Sequence, residues 1–181
     1  MPRYAAFLRG INVSNRRASK EELTACFSGL GLEGVGTFRA SGNVVFDAAR
    51  AKPDKLATRI ESALADALGY EVRTFLRTEA EMRAMAELRP FPAKAVEASA
   101  GKLQVIMLLE RPPKRVRDQM LALATDEDRL AFGDRELFWL PSGGMLDSAL
   151  DTGGIERAIG PTTKRTKGTI DLMAEKFFAG G

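Results

Sequence analysis

Val35-Gly36-Thr37-Phe38-Arg39-Ala40-Ser41-Gly42-Asn43-Val44-Val45-Phe46-Asp47 is the stretch on which the fold turns. Residues 35–39 and 44–47 read as strands. Ala40-Ser41-Gly42-Asn43 between them places glycine and asparagine where a tight turn needs them, so the spacing predicts a hairpin. Toward the N-terminus, Ser19-Lys20-Glu21-Glu22 is a capping box, with Ser at N-cap and Glu at N3. Leu23, Phe27 and Leu30 follow at helical spacing, and Gly31 stops the helix. Residues 4–8 before it form a short apolar strand that Gly10 breaks. In the other direction, Pro53-Asp54 opens a helix with the stripe Leu56, Ile60, Leu64 and Leu68, closed by Gly69. Residues 70–76 then alternate as a strand. The order β-α-β-β-α-β over residues 4–76 is that of the ferredoxin-like fold.

The second half partly repeats the first. Thr78-Glu79-Ala80-Glu81 is another capping box, opening a helix to about residue 88. Arg89-Pro90-Phe91-Pro92 breaks it, and residues 93–101 read as a loop or linker. Residues 103–109 are the strongest strand in the chain. Pro112-Pro113 starts a helix with Val116, Met120 and Leu123 on one face. Residues 129–132 and 136–140 form a hairpin around Gly133-Asp134. A glycine-containing segment, 141–154, leads to a short helix near 155–159 and a last helix over about 166–178. The expected fold is α+β: a tandem of two ferredoxin-like subdomains, 1–77 and 78–181, packed into one compact unit. It rests on element order, since no sequence repeat is visible.

Composition removes many chemistries. The 181 residues include no His and one Cys. Histidine-based catalysis, His-ligated metals and cysteine-cluster metals are therefore excluded, no metal centre is expected although oxygen ligands would still permit Mg²⁺, and no motif calls for a cofactor. Lys plus Arg number 27 against 24 Asp plus Glu, a mild excess that permits a phosphate-bearing partner without demanding one. The first residues lack a signal-peptide pattern, and the longest apolar run is far below the roughly 20 residues of a membrane span. A soluble, cytoplasmic protein is expected. Cys26 falls on the apolar face of its helix, as an inert, buried thiol would.

Topology draws the polar residues together. In a sheet of order 4-1-3-2 with antiparallel neighbours, the end of strand one, the end of strand two and the start of strand three share an edge. Arg9, Asn12, Arg39, Ser41 and Asn43 should meet there. Two arginines with Ser, Asn and glycine-exposed backbone suit an anion, because guanidinium forms bidentate bonds to phosphate or carboxylate. The same residues also suit purely structural roles: Gly42-Asn43 in the hairpin, Asn12 capping its loop, Arg9 paired with a carboxylate. A third segment, Thr162-Thr163-Lys164-Arg165-Thr166-Lys167-Gly168-Thr169, reads as the start of the last helix. Hydroxyls and cations there make Thr163, Arg165 and Thr169 further anion-binding candidates, expected near the same edge. A Thr N-cap with solvated lysines accounts for that segment equally well.

Leu8-Arg9-Gly10-Ile11-Asn12-Val13, Ser41-Gly42-Asn43-Val44-Val45-Phe46 and Thr163-Lys164-Arg165-Thr166 with Thr169 resemble, in matching order, a bacterial family known as domain of unknown function 1697. The resemblance implies two fused ferredoxin-like subdomains and a site at these motifs, and it implies no reaction. Two departures stand out. The family commonly follows Ile-Asn-Val with Gly-Gly, where this chain has Ser14-Asn15. Its last motif usually ends Arg-Asn-Trp, where Thr166-Lys167 follow Arg165 here, so an aromatic that would stack on a ligand is missing.

Three functions fit these residues. One is binding of an anionic small molecule or nucleic acid, although no RNA-recognition motif appears. Another is a His-free enzyme on a small anionic substrate, with arginines stabilising charge and a carboxylate such as Asp47 or Asp171, a Lys, a Tyr or the N-terminus moving protons. The third is a protein-interaction or regulatory domain. Neither catalytic residues nor oligomeric state can be read from the chain.

Overall fold

The computed structural model describes residues 1–40 and 42–180. Among them are seven α-helices and two four-stranded antiparallel sheets, a mixed α+β architecture. The chain divides into two compact units, 1–83 with 175–181, and 84–174.

In the first unit the elements run β1 (Arg3–Arg9), α1 (Lys20–Gly29), β2 (Glu33–Thr37), β3 (Asn43–Asp47), α2 (Pro53–Leu68), β4 (Arg73–Thr78) and α3 (Glu79–Glu87), which crosses the boundary. The expected boundary after residue 77 falls one residue before the end of β4, and the first unit runs on to Arg83. The sheet order is β2-β3-β1-β4, the 4-1-3-2 order from which the shared edge was expected. Period-two alternation sends Tyr4, Ala6 and Leu8 of β1 into a core with Phe27 of α1 and Leu56, Ile60 and Leu64 of α2. Phe46 stacks on Tyr4 at 5.7 Å and meets Phe27 at 5.4 Å between ring centroids. Phe7, Val45 and Phe75 are buried as well.

The predicted caps are present. Ser19 accepts from the Glu22 amide at 3.1 Å, and the Glu22 carboxylate accepts from the Ser19 amide at 2.8 Å. Gly69 closes α2 in the left-handed conformation, with φ of 77°. Cys26 is half-buried against the core, and burial pushes its thiol pKa up.

The second unit contains α4 (Ala93–Ala98), β5 (Gln104–Leu108), α5 (Lys114–Leu121), β6 (Asp128–Phe132), β7 (Glu136–Pro141), a 3-10 turn (Met145–Asp147), α6 (Thr152–Ile159), β8 (Thr162–Thr166) and most of α7 (Lys167–Phe178). Its sheet order, β6-β7-β5-β8, repeats that of the first. Ile106, Leu137, Trp139 and Ile155 centre its core, and the Trp139 indole donates to Asp128 at 2.7 Å.

Two expectations are corrected. Residues 93–101 are not all loop, because 93–98 form α4, a helix too short to display a periodic apolar stripe. Residues 162–166 are not a helix start but the edge strand β8, paired with β5 from Thr162 opposite Leu108 to Thr166 opposite Gln104. The polar sequence concealed this strand. It alternates in and out, with Thr163 and Arg165 buried and Lys164 exposed, and its second edge has no strand neighbour. The last helix begins one residue after it, where Thr166 accepts from the Thr169 amide at 3.2 Å as an N-cap.

Candidate functional site

The first two motifs meet as topology requires. Leu8 at the end of β1 donates its amide to the Gly42 carbonyl at 2.8 Å, and Asn12 donates its side-chain amide to the Ala40 carbonyl at 2.6 Å. Asn12 also accepts from the Ala18 amide at 3.2 Å, so one end of its side chain joins the loop after β1 to the β2–β3 turn and the other ties that loop to itself. Asn43 is buried and donates to the Phe38 carbonyl at 2.9 Å, across the base of the same turn. Ser41 lies outside the described residues.

This edge concentrates unusual backbone. Four non-glycine residues among those described have positive φ, and three lie here: Asn12 at 57°, Ser14 at 49° and Arg39 at 58°. Such conformations persist only where surrounding bonds over-determine them, and they gather at functional sites. Gly42, with φ of 72°, has a further reason to lack a side chain. A Cβ there would lie 3.1 Å from the Leu8 Cβ and 3.2 Å from the Leu8 carbonyl oxygen, blocking the join between the motifs.

The two arginines of the expected site diverge. Arg39 is exposed, with its guanidinium 5.3 Å from the centroid of Phe38. Arg9 instead lines a cavity of about 480 Å³ between the end of β1, the flank of α2 and the start of β4. Arg16 and Arg73 line the same cavity, with Glu61 and Glu71 as its carboxylates. Arg9 and Arg73 are direct partners in the β1–β4 register. Like charges placed opposite one another destabilise a sheet unless a counter-charge joins them. Glu61 is committed already: one oxygen accepts from the Thr74 amide at 2.8 Å and the other lies 3.7 Å from Arg73.

Arg16 is held by its neighbours. Its guanidinium lies 5.4 Å from the centroid of the Tyr70 ring, and the Tyr70 hydroxyl donates to the Arg17 carbonyl at 2.9 Å. One aromatic residue after the Gly69 cap thus anchors the loop that carries Arg16. Burial pushes the Tyr70 phenol pKa up, which keeps it protonated as a donor.

Arg73 escaped the sequence reading, although a signal existed. β4 runs antiparallel to β1 just as β3 does, so its start lies at the end of β1. The antiparallel pairing that brings β3 to the end of β1 therefore brings Arg73 there too.

Thr163, Arg165 and Thr169 belong to the second unit. Arg165 is buried and donates to the Thr163 hydroxyl at 2.9 Å and the Lys164 carbonyl at 2.8 Å. Desolvation lowers its pKa to about 10, still cationic at neutral pH. The other cations of the segment have local partners. Lys167 donates to Asp171 at 2.5 Å and to the Ala86 carbonyl at 2.8 Å, and Lys164 lies 5.4 Å from the centroid of Trp139. The two carboxylates named for proton transfer are in ion pairs as well, Asp171 with Lys167 and Asp47 with Arg3 at 2.8 Å.

No group of three or more metal-ligating side chains occurs among the described residues, and no helix there is long and apolar enough to cross a membrane. No curated protein matches the sequence. In structure the chain is similar to a conserved bacterial protein from Streptococcus pneumoniae, with a TM-score of 0.72 over 96% of this chain and 97% of that one. Their sequences are 23% identical, so the likeness speaks to fold alone. Residues 1–138 match a family profile, a span that holds the first two of the three motifs quoted above and ends before the third. With that share of its length matched, the chain belongs to the family described as protein of unknown function (DUF1697).

Proposed function

We propose that the protein binds a small ligand bearing a phosphate or carboxylate in the cavity beside the first motif, with Arg9, Arg16 and Arg73 as its anion-recognising groups. The observation that carries this is the Arg9–Arg73 register pair opening into a cavity that a third arginine also lines. Three guanidinium groups against two carboxylates, one of them already bonded to backbone, leave positive charge that an anion would neutralise. Asn12, Asn43 and Gly42 support the site by holding its loops together. The repeated strand order supports reading each unit as a ferredoxin-like subdomain.

A small ligand is favoured over nucleic acid. Sheets of this order that bind RNA stack bases on exposed strand aromatics. Here Phe7, Phe46 and Phe75 are buried.

Titration with inorganic phosphate, followed by NMR chemical shifts, tests the proposal. Arg9→Ala and Arg73→Ala should remove the response and leave circular dichroism unchanged. Arg39→Ala, outside the cavity, should retain it. Equal phosphate responses in the wild type and the Arg9 and Arg73 variants would refute the site. A steeply salt-dependent affinity for single-stranded RNA would favour nucleic acid instead.

A further inference from the structure

We infer that the ligand of this cavity is a zwitterion, an amino acid or aminoalkyl phosphate, whose primary ammonium group is received by Glu71; this assignment rests on the anion-binding proposal above. The cavity holds charges of both signs that are not spent on each other. Arg16 and Glu71 both line it. Among the described residues neither side chain makes a hydrogen bond or an ion pair; Arg16 bonds only through its backbone, and its guanidinium contact is with the Tyr70 ring. The other carboxylate, Glu61, is occupied by the Thr74 amide and Arg73. Glu71 is therefore the acceptor left for a ligand.

Covalent geometry supports the pairing. Glu71 and Arg73 are two residues apart around the start of β4, which puts an acceptor and a donor on one short piece of backbone. Val72 between them is buried, which fixes that backbone. A ligand carrying a single negative charge would leave Glu71 facing the anion it accompanies, a like-charge contact that costs affinity. A ligand with an ammonium a few bonds from its anion turns that contact into an attractive one.

The test compares four probes by NMR titration: phosphoethanolamine with ethyl phosphate, and γ-aminobutyrate with butyrate. In the wild type, at least one amine-bearing probe should bind about two- to fivefold more tightly than its amine-free partner, the range of a partly exposed ion pair. The pair showing the larger preference identifies phosphate or carboxylate as the anionic end. Glu71→Gln, which alters an exposed side chain without a bonding partner, should abolish the preference and strengthen binding of the amine-free probe. Equal affinities within both pairs, or a preference that survives Glu71→Gln, would overturn the zwitterion assignment while leaving anion binding intact. Failure of all four probes and of inorganic phosphate would remove the anion site, and the assignment with it.

Discussion

Arg9 and Arg73 stand directly opposite one another in the antiparallel ladder between β1 and β4. Cβ atoms at such a pair lie roughly 4.5–5.5 Å apart, close enough for two guanidinium groups to repel or to share an anion. Phosphate should therefore raise the melting temperature of the wild type. At tenfold excess over its dissociation constant the gain is about 1.4 kcal/mol, or a few degrees for a chain of this size. Arg73→Ala should stay within about 0.5 kcal/mol of wild type without phosphate and lose the phosphate-dependent rise. Thermal denaturation with and without phosphate checks this, and an undiminished rise in the variant would contradict it.

Asn12 is the strap between the two first-unit motifs. Its replacement by Ala removes the bonds to Ala40 and Ala18 and leaves a Cβ residue at a φ of 57° without compensation. The expected loss is about 1–3 kcal/mol in urea denaturation. Asn12→Gly should cost less, because glycine tolerates that backbone. An alanine variant as stable as wild type would show that the strap is dispensable.

Arg3 grips Asp47 with two bonds of 2.8 Å, and this holds the Asp47 carboxyl below its ordinary pKa of 3.8. The unfolded chain then takes up the proton first as acid is added. The contribution of the pair is complete above the ordinary value and is lost as pH falls below it, toward the folded value. Both side chains are partly exposed, so the effect should be no more than about 1 kcal/mol. Asp47→Asn should lower stability at neutral pH and flatten its acid dependence by that amount. Parallel acid dependences in the two proteins would dismiss the pair as a stability determinant.

Cys26 should be slow to react. Its thiol is half-buried, and desolvation raises its pKa, so less thiolate is present at neutral pH than in free cysteine. An aromatic disulfide reagent should label it at least about tenfold more slowly than an exposed cysteine, with normal speed restored in denaturant. Prompt labelling of the folded protein would show that α1 opens readily.

Much of the fold was legible because its signals are local. The Ser19 capping box, the Leu56, Ile60 and Leu64 stripe and the Gly69 cap each fall within one or a few helical turns, where side-chain and backbone groups reach each other whatever the rest of the chain does. The strand β8 was not legible. Thr162-Thr163-Lys164-Arg165-Thr166 lacks a strand's usual apolar content, and its pairing with β5 comes from residues more than fifty positions away.

The candidate site divides in the same way. The sequence alone determined that Arg9, Asn12 and Asn43 come to one sheet edge, because element order and antiparallel pairing suffice for that. It also determined that histidine and cysteine-cluster chemistry is absent, since that is a matter of composition. Only tertiary structure decided what each side chain does there. Asn12 and Asn43 spend their amides on backbone, Arg39 turns out over Phe38, and Arg9 joins Arg16 and Arg73 around a cavity. The physical reason is that topology sets where a Cα lies, while the direction of a long polar side chain depends on which donors, acceptors and rings surround it. Those neighbours are assembled from β1, α2 and β4 only when the chain has folded.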